Sequence, residues 1–226
     1  MAHSSLSGRV YNVLLERNDQ IVSTKQIKTA CKLLGVEYKT AMVGLSRDNV
    51  LEPVIFKGVY YLKNREERDL GTVKGDPILV VAQACNLKLG ENWYFGLATA
   101  LKLSGLWEQQ TLTTITIISK ARIQRSKTSF GGTSIEFKQL SKVPFHNLVR
   151  KQGIVRFSEP GRTLIDYVYF GARNKAYIDF GRIVFLKLAI KFGSKTSLIK
   201  KIKPLIGKYP GLYSIFLEKF FEEQQK

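Results

Sequence analysis

Tyr38-Lys39-Thr40-Ala41-Met42-Val43-Gly44-Leu45-Ser46-Arg47-Asp48 has the pattern of an amphipathic helix with an unusual polar side. At about 100° per residue, Ala41, Leu45 and, at the margin, Met42 fall on one face, while Lys39, Thr40, Val43, Ser46 and Arg47 fall on the other. The first face is apolar and packs inward. The second is small, polar and basic, which suits a helix entering a major groove: short side chains permit close approach, and Lys and Arg reach phosphates or guanine edges. An ordinary solvated face, or a protein-protein module, is the competing reading of the same residues. Gly44 at mid-helix costs about 1 kcal/mol relative to alanine, and either close backbone approach or simple tolerance accounts for it.

The flanking residues give this helix its setting. Upstream, Leu6 to Arg17 places Leu6, Val10, Val13 and Leu14 on one helical face. After Ile21-Val22, Ser23 or Thr24 can cap a second helix carrying Ile27, Ala30, Cys31 and Leu34, with Gly35 in the C′ position. Downstream, Leu51 to Phe56 and Val59 to Leu62 are short apolar stretches joined by Lys57-Gly58, a tight hairpin signal. Three helices followed by a hairpin make a winged helix-turn-helix. Lys57 at the wing tip is placed to reach a flanking phosphate or the minor groove.

The rest of the chain has a different texture. Residues 64–76 are charged and end in Gly75-Asp76, just before Pro77, the pattern of a linker between a first domain at 1–63 and a second at 77–226. In the second domain, helices are expected from Asp76-Pro77 onward and from about Asn92 to Gly105. Strands are expected at Thr111 to Ser119, Ile135 to Leu140 and Ile154 to Phe157, forming a mostly antiparallel sheet. Ser158-Glu159-Pro160-Gly161 opens a further helix with Ser158 as its cap; Arg162 and Asp166, four apart on it, read as a structural ion pair. Helices at about Phe180 to Phe192, Ser197 to Ile206 and Leu212 to Glu223 finish the chain. The fold class is therefore α+β, a winged helix-turn-helix followed by a larger mixed α/β domain with C-terminal helices.

Composition narrows the function. The 226 residues carry a formal charge of +18 and an isoelectric point near 9.9, which calls for a polyanionic partner: nucleic acid, an acidic protein surface or anionic lipid. Residues 1–70 hold 11 Lys/Arg against 8 Asp/Glu, and the remainder 25 against 10, so the excess lies in the second domain. Part of it is the run from Lys120 to Lys127, in which Arg122, Arg125 and Lys127 could track a phosphate backbone; an edge kept soluble by charge has the same look. No apolar run approaches the roughly 20 residues needed to span a bilayer, and the N-terminus lacks the pattern of a signal peptide, so a cytoplasmic location without membrane association is expected.

Motifs for chemistry are sparse. Cys31 and Cys85 have no zinc or disulfide spacing, and His3 and His146 have no partner at metal or acid/base spacing. Gly193-Ser194-Lys195-Thr196 lacks the first glycine and the adjacent Gly-Lys of a phosphate-binding loop. A nucleotidyltransferase reading of Gly193-Ser194 fails because no acidic residue occurs between Asp179 and Glu218 to hold catalytic metals. A non-enzymatic protein without a cofactor is the expectation.

Two motifs bear a family likeness. Trp93-Tyr94-Phe95-Gly96-Leu97-Ala98-Thr99-Ala100-Leu101-Lys102-Leu103-Ser104-Gly105-Leu106 is similar to an aromatic helix ending in Gly-Leu in the AbiEi antitoxins, the regulator half of bacterial and archaeal type IV toxin-antitoxin pairs. Phe157-Ser158-Glu159-Pro160-Gly161-Arg162-Thr163-Leu164-Ile165-Asp166 resembles another stretch of that family, with Gly161 where the family usually has glutamate. The resemblance spans roughly residues 8–170. It implies a winged-helix repressor of its own promoter, with a C-terminal domain that neutralises a nucleotidyltransferase toxin. By that analogy Lys39, Thr40, Ser46 and Arg47 match recognition-helix positions. A protein-interaction module with an acidic partner, and an RNA-binding protein, are the alternatives; the lack of clustered aromatics on the expected strands argues against the second.

Overall fold

The computed structural model describes residues 5–16, 20–107, 113–124, 126–141, 145–172, 174–209 and 211–225. The chain divides into two compact units, one made of residues 1–88 with 129–133 and the other of 89–128 with 134–226.

The first unit begins with α1 (Leu6–Leu15), capped by Ser5, whose hydroxyl accepts from the Gly8 N–H. Strand β1 (Ile21–Ser23) leads directly into α2 (Thr24–Leu33), where Ser23 and Gln26 form a reciprocal capping box. Gly35 takes φ +64°, the left-handed conformation that ends α2 and turns the chain into α3 (Tyr38–Arg47). β2 (Leu51–Pro53) and β3 (Val59–Leu62) form the wing, and β1 joins them in an antiparallel sheet of order β1-β3-β2. The third strand was hidden in the sequence as the brief Ile21-Val22 pair. Val10, Leu14, Ile27, Ala30, Leu45 and Leu62 form the core of this arrangement.

Residues 64–76 carry a helix where the sequence suggested a linker. In α4 (Arg65–Asp69), Asn64 and Glu67 cap one another reciprocally. Glu67 is buried and also accepts from the Tyr61 hydroxyl and the Lys74 N–H, both at 2.7 Å. Those bonds tie the segment to β3. Next comes α5 (Pro77–Leu89), whose first turn is held by Asp76 accepting from the Ile78 N–H; the division between the units falls near its end.

The second unit is built on a six-stranded sheet and a set of helices. Its elements are β4 (Trp93–Phe95), α6 (Leu97–Leu103), β5 (Thr114–Ser119), β6 (Lys127–Phe130), β7 (Thr133–Gln139), β8 (Val149–Gln152), β9 (Val155–Ser158), α7 (Pro160–Gly171), α8 (Lys175–Lys191), α9 (Lys195–Ile206) and α10 (Gly211–Gln225), except that residues 129–133, where β6 turns into β7, count to the first unit. The strand order is β6-β7-β5-β4-β9-β8. β4 pairs antiparallel with β5 and β8 with β9, whereas β5 with β7 and β4 with β9 run parallel, so the sheet is mixed.

The helix expected over Asn92 to Gly105 is a strand and then a helix: Trp93, Tyr94 and Phe95 form β4, and only Leu97 onward is helical. The break is sharp because Leu97 takes φ +52°, and Gly96 has no space for a side chain, since a Cβ there would lie 2.3 Å from the Ile118 Cδ1. Ser158 does not cap α7 either. Glu159 holds the cap position and Pro160 the first turn, while the buried Ser158 hydroxyl bonds that of Thr163 at 2.6 Å. The core of the unit includes Tyr94, Leu101, Ile118, Leu164, Phe185 and Leu217.

Candidate nucleic-acid interface

On α3 the two faces separate as the residue pattern requires. Ala41 and Leu45 are buried, Met42 is half-buried, and Lys39, Thr40, Val43, Ser46 and Arg47 are exposed. Gly44 faces α1, where a Cβ would lie 2.7 Å from the Ser7 Cβ. Close approach of the two helices therefore explains the glycine. It also brings Ser5, Leu6 and Ser7 to the rim of a shallow groove completed by Lys39, Thr40, Val43 and Arg47. Nothing in the residue pattern marks these α1 residues as part of the face; the small residue at 44 is the hint that a neighbour lies against it.

The polar groups on this face are mutually positioned. The Thr40 hydroxyl donates to Glu37 at 2.9 Å. At the other end, the Arg47 Nε–H donates to Asp48 at 3.1 Å, and the Ser7 hydroxyl donates to the second oxygen of the same carboxylate at 2.8 Å. The Ser7 bond, followed by that from Arg47, holds the Asp48 carboxyl below its ordinary range. Arg47 thus starts from a defined position while most of its side chain, 72% exposed, faces solvent.

The wing places Lys57 in solvent at the tip of the β2–β3 hairpin. Beside it, Gly58 takes φ +76°, and its carbonyl accepts from the Thr24 N–H at 2.9 Å and from the Thr24 hydroxyl at 3.2 Å. The hairpin is thereby fastened to the start of α2. Lys63, in contrast, is not free to meet a phosphate: its buried ammonium pairs with Glu52 at 2.8 Å and donates to Asn49 at 3.1 Å.

In the second unit, Lys120 and Arg122 are exposed in the connection from β5 to β6, and Lys127 is exposed on β6, an edge strand. Arg125 lies outside the described residues, as does His3. His146 is exposed, and among the described residues no three His, Cys, Asp or Glu side chains converge as a metal site requires. Gly193 and Ser194 form a helix connection: Gly193 takes φ +82° after α8, and Ser194 caps α9 by accepting from the Ser197 N–H.

Arg162 and Asp166 form the expected ion pair, fully buried at 2.9 Å. Tyr94 and Tyr209 donate to the same carboxylate at 2.9 and 3.3 Å, and Arg162 also donates to the Tyr94 oxygen at 3.1 Å. Burial opposes the Arg162 charge, and the Asp166 carboxylate more than offsets it, so the guanidinium stays protonated. The network joins α7 to β4 and to the segment before α10, in the manner of a core fastening.

No helix among the described residues is long and apolar enough to cross a membrane. Neither a protein-family model nor a curated protein matches the sequence. The fold is similar to that in the crystal structure of the RV2827C protein from Mycobacterium tuberculosis, with a TM-score of 0.60 at 12% identity, over 96% of this chain and 76% of that one. At that identity the likeness establishes a shared architecture and leaves its use to be argued from the residues on it.

Proposed function

We propose that this protein is a sequence-specific DNA-binding transcriptional regulator that acts without enzymatic chemistry, and that it serves as the antitoxin and autorepressor of a type IV toxin-antitoxin pair. One observation carries the DNA-binding part: the solvent face of α3 holds Lys39, Thr40, Val43, Ser46 and Arg47, while its opposite face is fixed in the core of a three-helix unit with a wing. In such a unit α3 would enter the major groove, Lys57 would meet the flanking backbone, and bound protein would occlude the promoter. The antitoxin part rests on the resemblance of the Trp93–Leu106 and Phe157–Asp166 stretches to the AbiEi family. It implies a nucleotidyltransferase toxin as partner.

The deciding experiment compares binding to duplex from the protein's own upstream region with binding to scrambled duplex across a salt series, for wild type and Arg47→Ala. Preference for the upstream sequence by at least roughly a thousandfold, with about 1–3 kcal/mol of it lost in the variant, is the expected result. Equal binding to both duplexes with only steep salt dependence would defeat the reading.

A second reading is favoured by a different surface. α8 exposes Ile183, Leu186 and Ile190, at 48, 52 and 82%, on one face beside the exposed Lys187. An apolar stripe with a basic margin suits an acidic protein partner. That reading predicts tight binding to such a partner, without preference for any DNA sequence.

A further inference from the structure

The exposed face of α3 is not uniformly polar. Val43 sits at its centre and is 69% exposed, with Lys39 and Arg47 one turn to either side and Thr40 and Ser46 at the intermediate spacings. On α3 itself the isopropyl group is flanked by cationic and hydroxyl side chains, and across the groove Leu6 of α1 is a second exposed apolar residue; neither is a group that phosphate contact calls for. Val43 is not buried by its own helix, and the adjoining groove leaves it open toward solvent.

A major groove offers few apolar groups on its base edges, and the prominent one is the C5-methyl of thymine. We infer that Val43 reads a thymine methyl, and that the preferred DNA site carries a thymine facing the middle of α3. The inference rests on the regulator reading above and sharpens it. Lys39 and Arg47 would hold the helix against the backbone or guanine edges on either side. Val43 would reject cytosine at that position, because cytosine presents an amino group and no methyl. Gly44 contributes by letting α1 pack closely behind α3, so the helix is presented at a fixed depth.

The test uses the full chain and duplexes enriched by it from a random-sequence pool. In the best-bound duplex each thymine is replaced in turn by deoxyuridine, which leaves pairing intact and removes only the methyl group. Affinities are measured by fluorescence anisotropy for wild type and for Val43→Ala, a change at an exposed position that leaves the fold intact. The expected result is a thymine whose replacement weakens wild-type binding by about fourfold, the effect of losing one buried methyl-sized group. The same replacement would have little effect on Val43→Ala, since the two changes remove one contact. Tolerance of deoxyuridine at every thymine would overturn the inference and leave the regulator reading standing. So would a sensitive thymine whose effect persists undiminished in Val43→Ala, because another group would then be reading it. If the pool yields no enriched sequence at all, the regulator reading itself fails and Val43 has no base to read.

Discussion

At Gly44 a methyl group has no room. The obstacle is the Ser7 Cβ, 2.7 Å from where the new carbon would sit, an atom that can move only if α1 moves with it. Gly44→Ala gains about 1 kcal/mol of helix propensity and loses about 1–3 kcal/mol to overpacking, so a lowered denaturation midpoint is expected. Ser7→Gly relieves the clash but gives up the Ser7 bond to Asp48, so the pair is expected to be less destabilising together than the sum of the two single changes in a double-mutant cycle; additive effects would show that the close approach is not limiting. Asp48, beside it, supplies a pH handle. Its carboxyl is held below the ordinary value of 3.8, first by the Ser7 hydroxyl and then by Arg47, so it favours the folded state above that pH and ceases to do so as pH falls through its folded value. Ser7→Ala should therefore raise the Asp48 titration midpoint followed by carboxyl-carbon NMR; an unmoved midpoint would remove Ser7 as the cause.

Among the elements, α7 carries the sharpest energetic consequence. Its Arg162 and Asp166 are wholly buried, and removing either leaves the other charged without its partner. Asp166→Asn and Arg162→Met are each expected to destabilise by about 3–5 kcal/mol, with the double variant costing less than the sum, all readable from denaturant unfolding. The pair was visible in the sequence because its i,i+4 spacing is local, but Tyr94 and Tyr209 were not, lying 72 and 43 residues away from Asp166. The same contrast runs through the other elements. α3 was legible because half of it faces water and half the core, which imposes a period on its residues. β4 was not, because Trp93, Tyr94 and Phe95 are all buried and a short, wholly apolar run has no period to distinguish strand from helix. β8 escaped for the opposite reason, since Val149-Arg150-Lys151-Gln152 has no buried residue to mark a face. α4 is hard to read because its charges suggest a solvated segment, while the bonds that bury Glu67 come from Tyr61 and Lys74, outside the helix.

Across the whole molecule, positive charge and the candidate reading helix are largely separated along the sequence. Residues 1–70 contribute a small fraction of the +18 excess, and the remainder of the chain contributes most of it. For a DNA-binding regulator this division assigns two tasks to two surfaces: base discrimination to α3, and long-range attraction to phosphate to the second unit. Lys120, Arg122 and Lys127 are the exposed test of the second task, because an edge strand kept soluble by charge would carry the same residues without touching DNA. The two cases differ in their salt dependence. Each phosphate contact adds about 0.9 to the slope of log affinity against log salt concentration on duplex DNA. Replacing all three residues by glutamine should flatten that slope by roughly 2–3 and weaken preferred and scrambled duplexes alike, leaving their ratio intact. Arg47→Ala should do the reverse, lowering the ratio with a change of about one or less in slope. An unchanged slope in the triple variant would confine phosphate binding to other residues and make this cluster a device of the sheet edge, whereas a changed ratio would draw it into base reading beside α3.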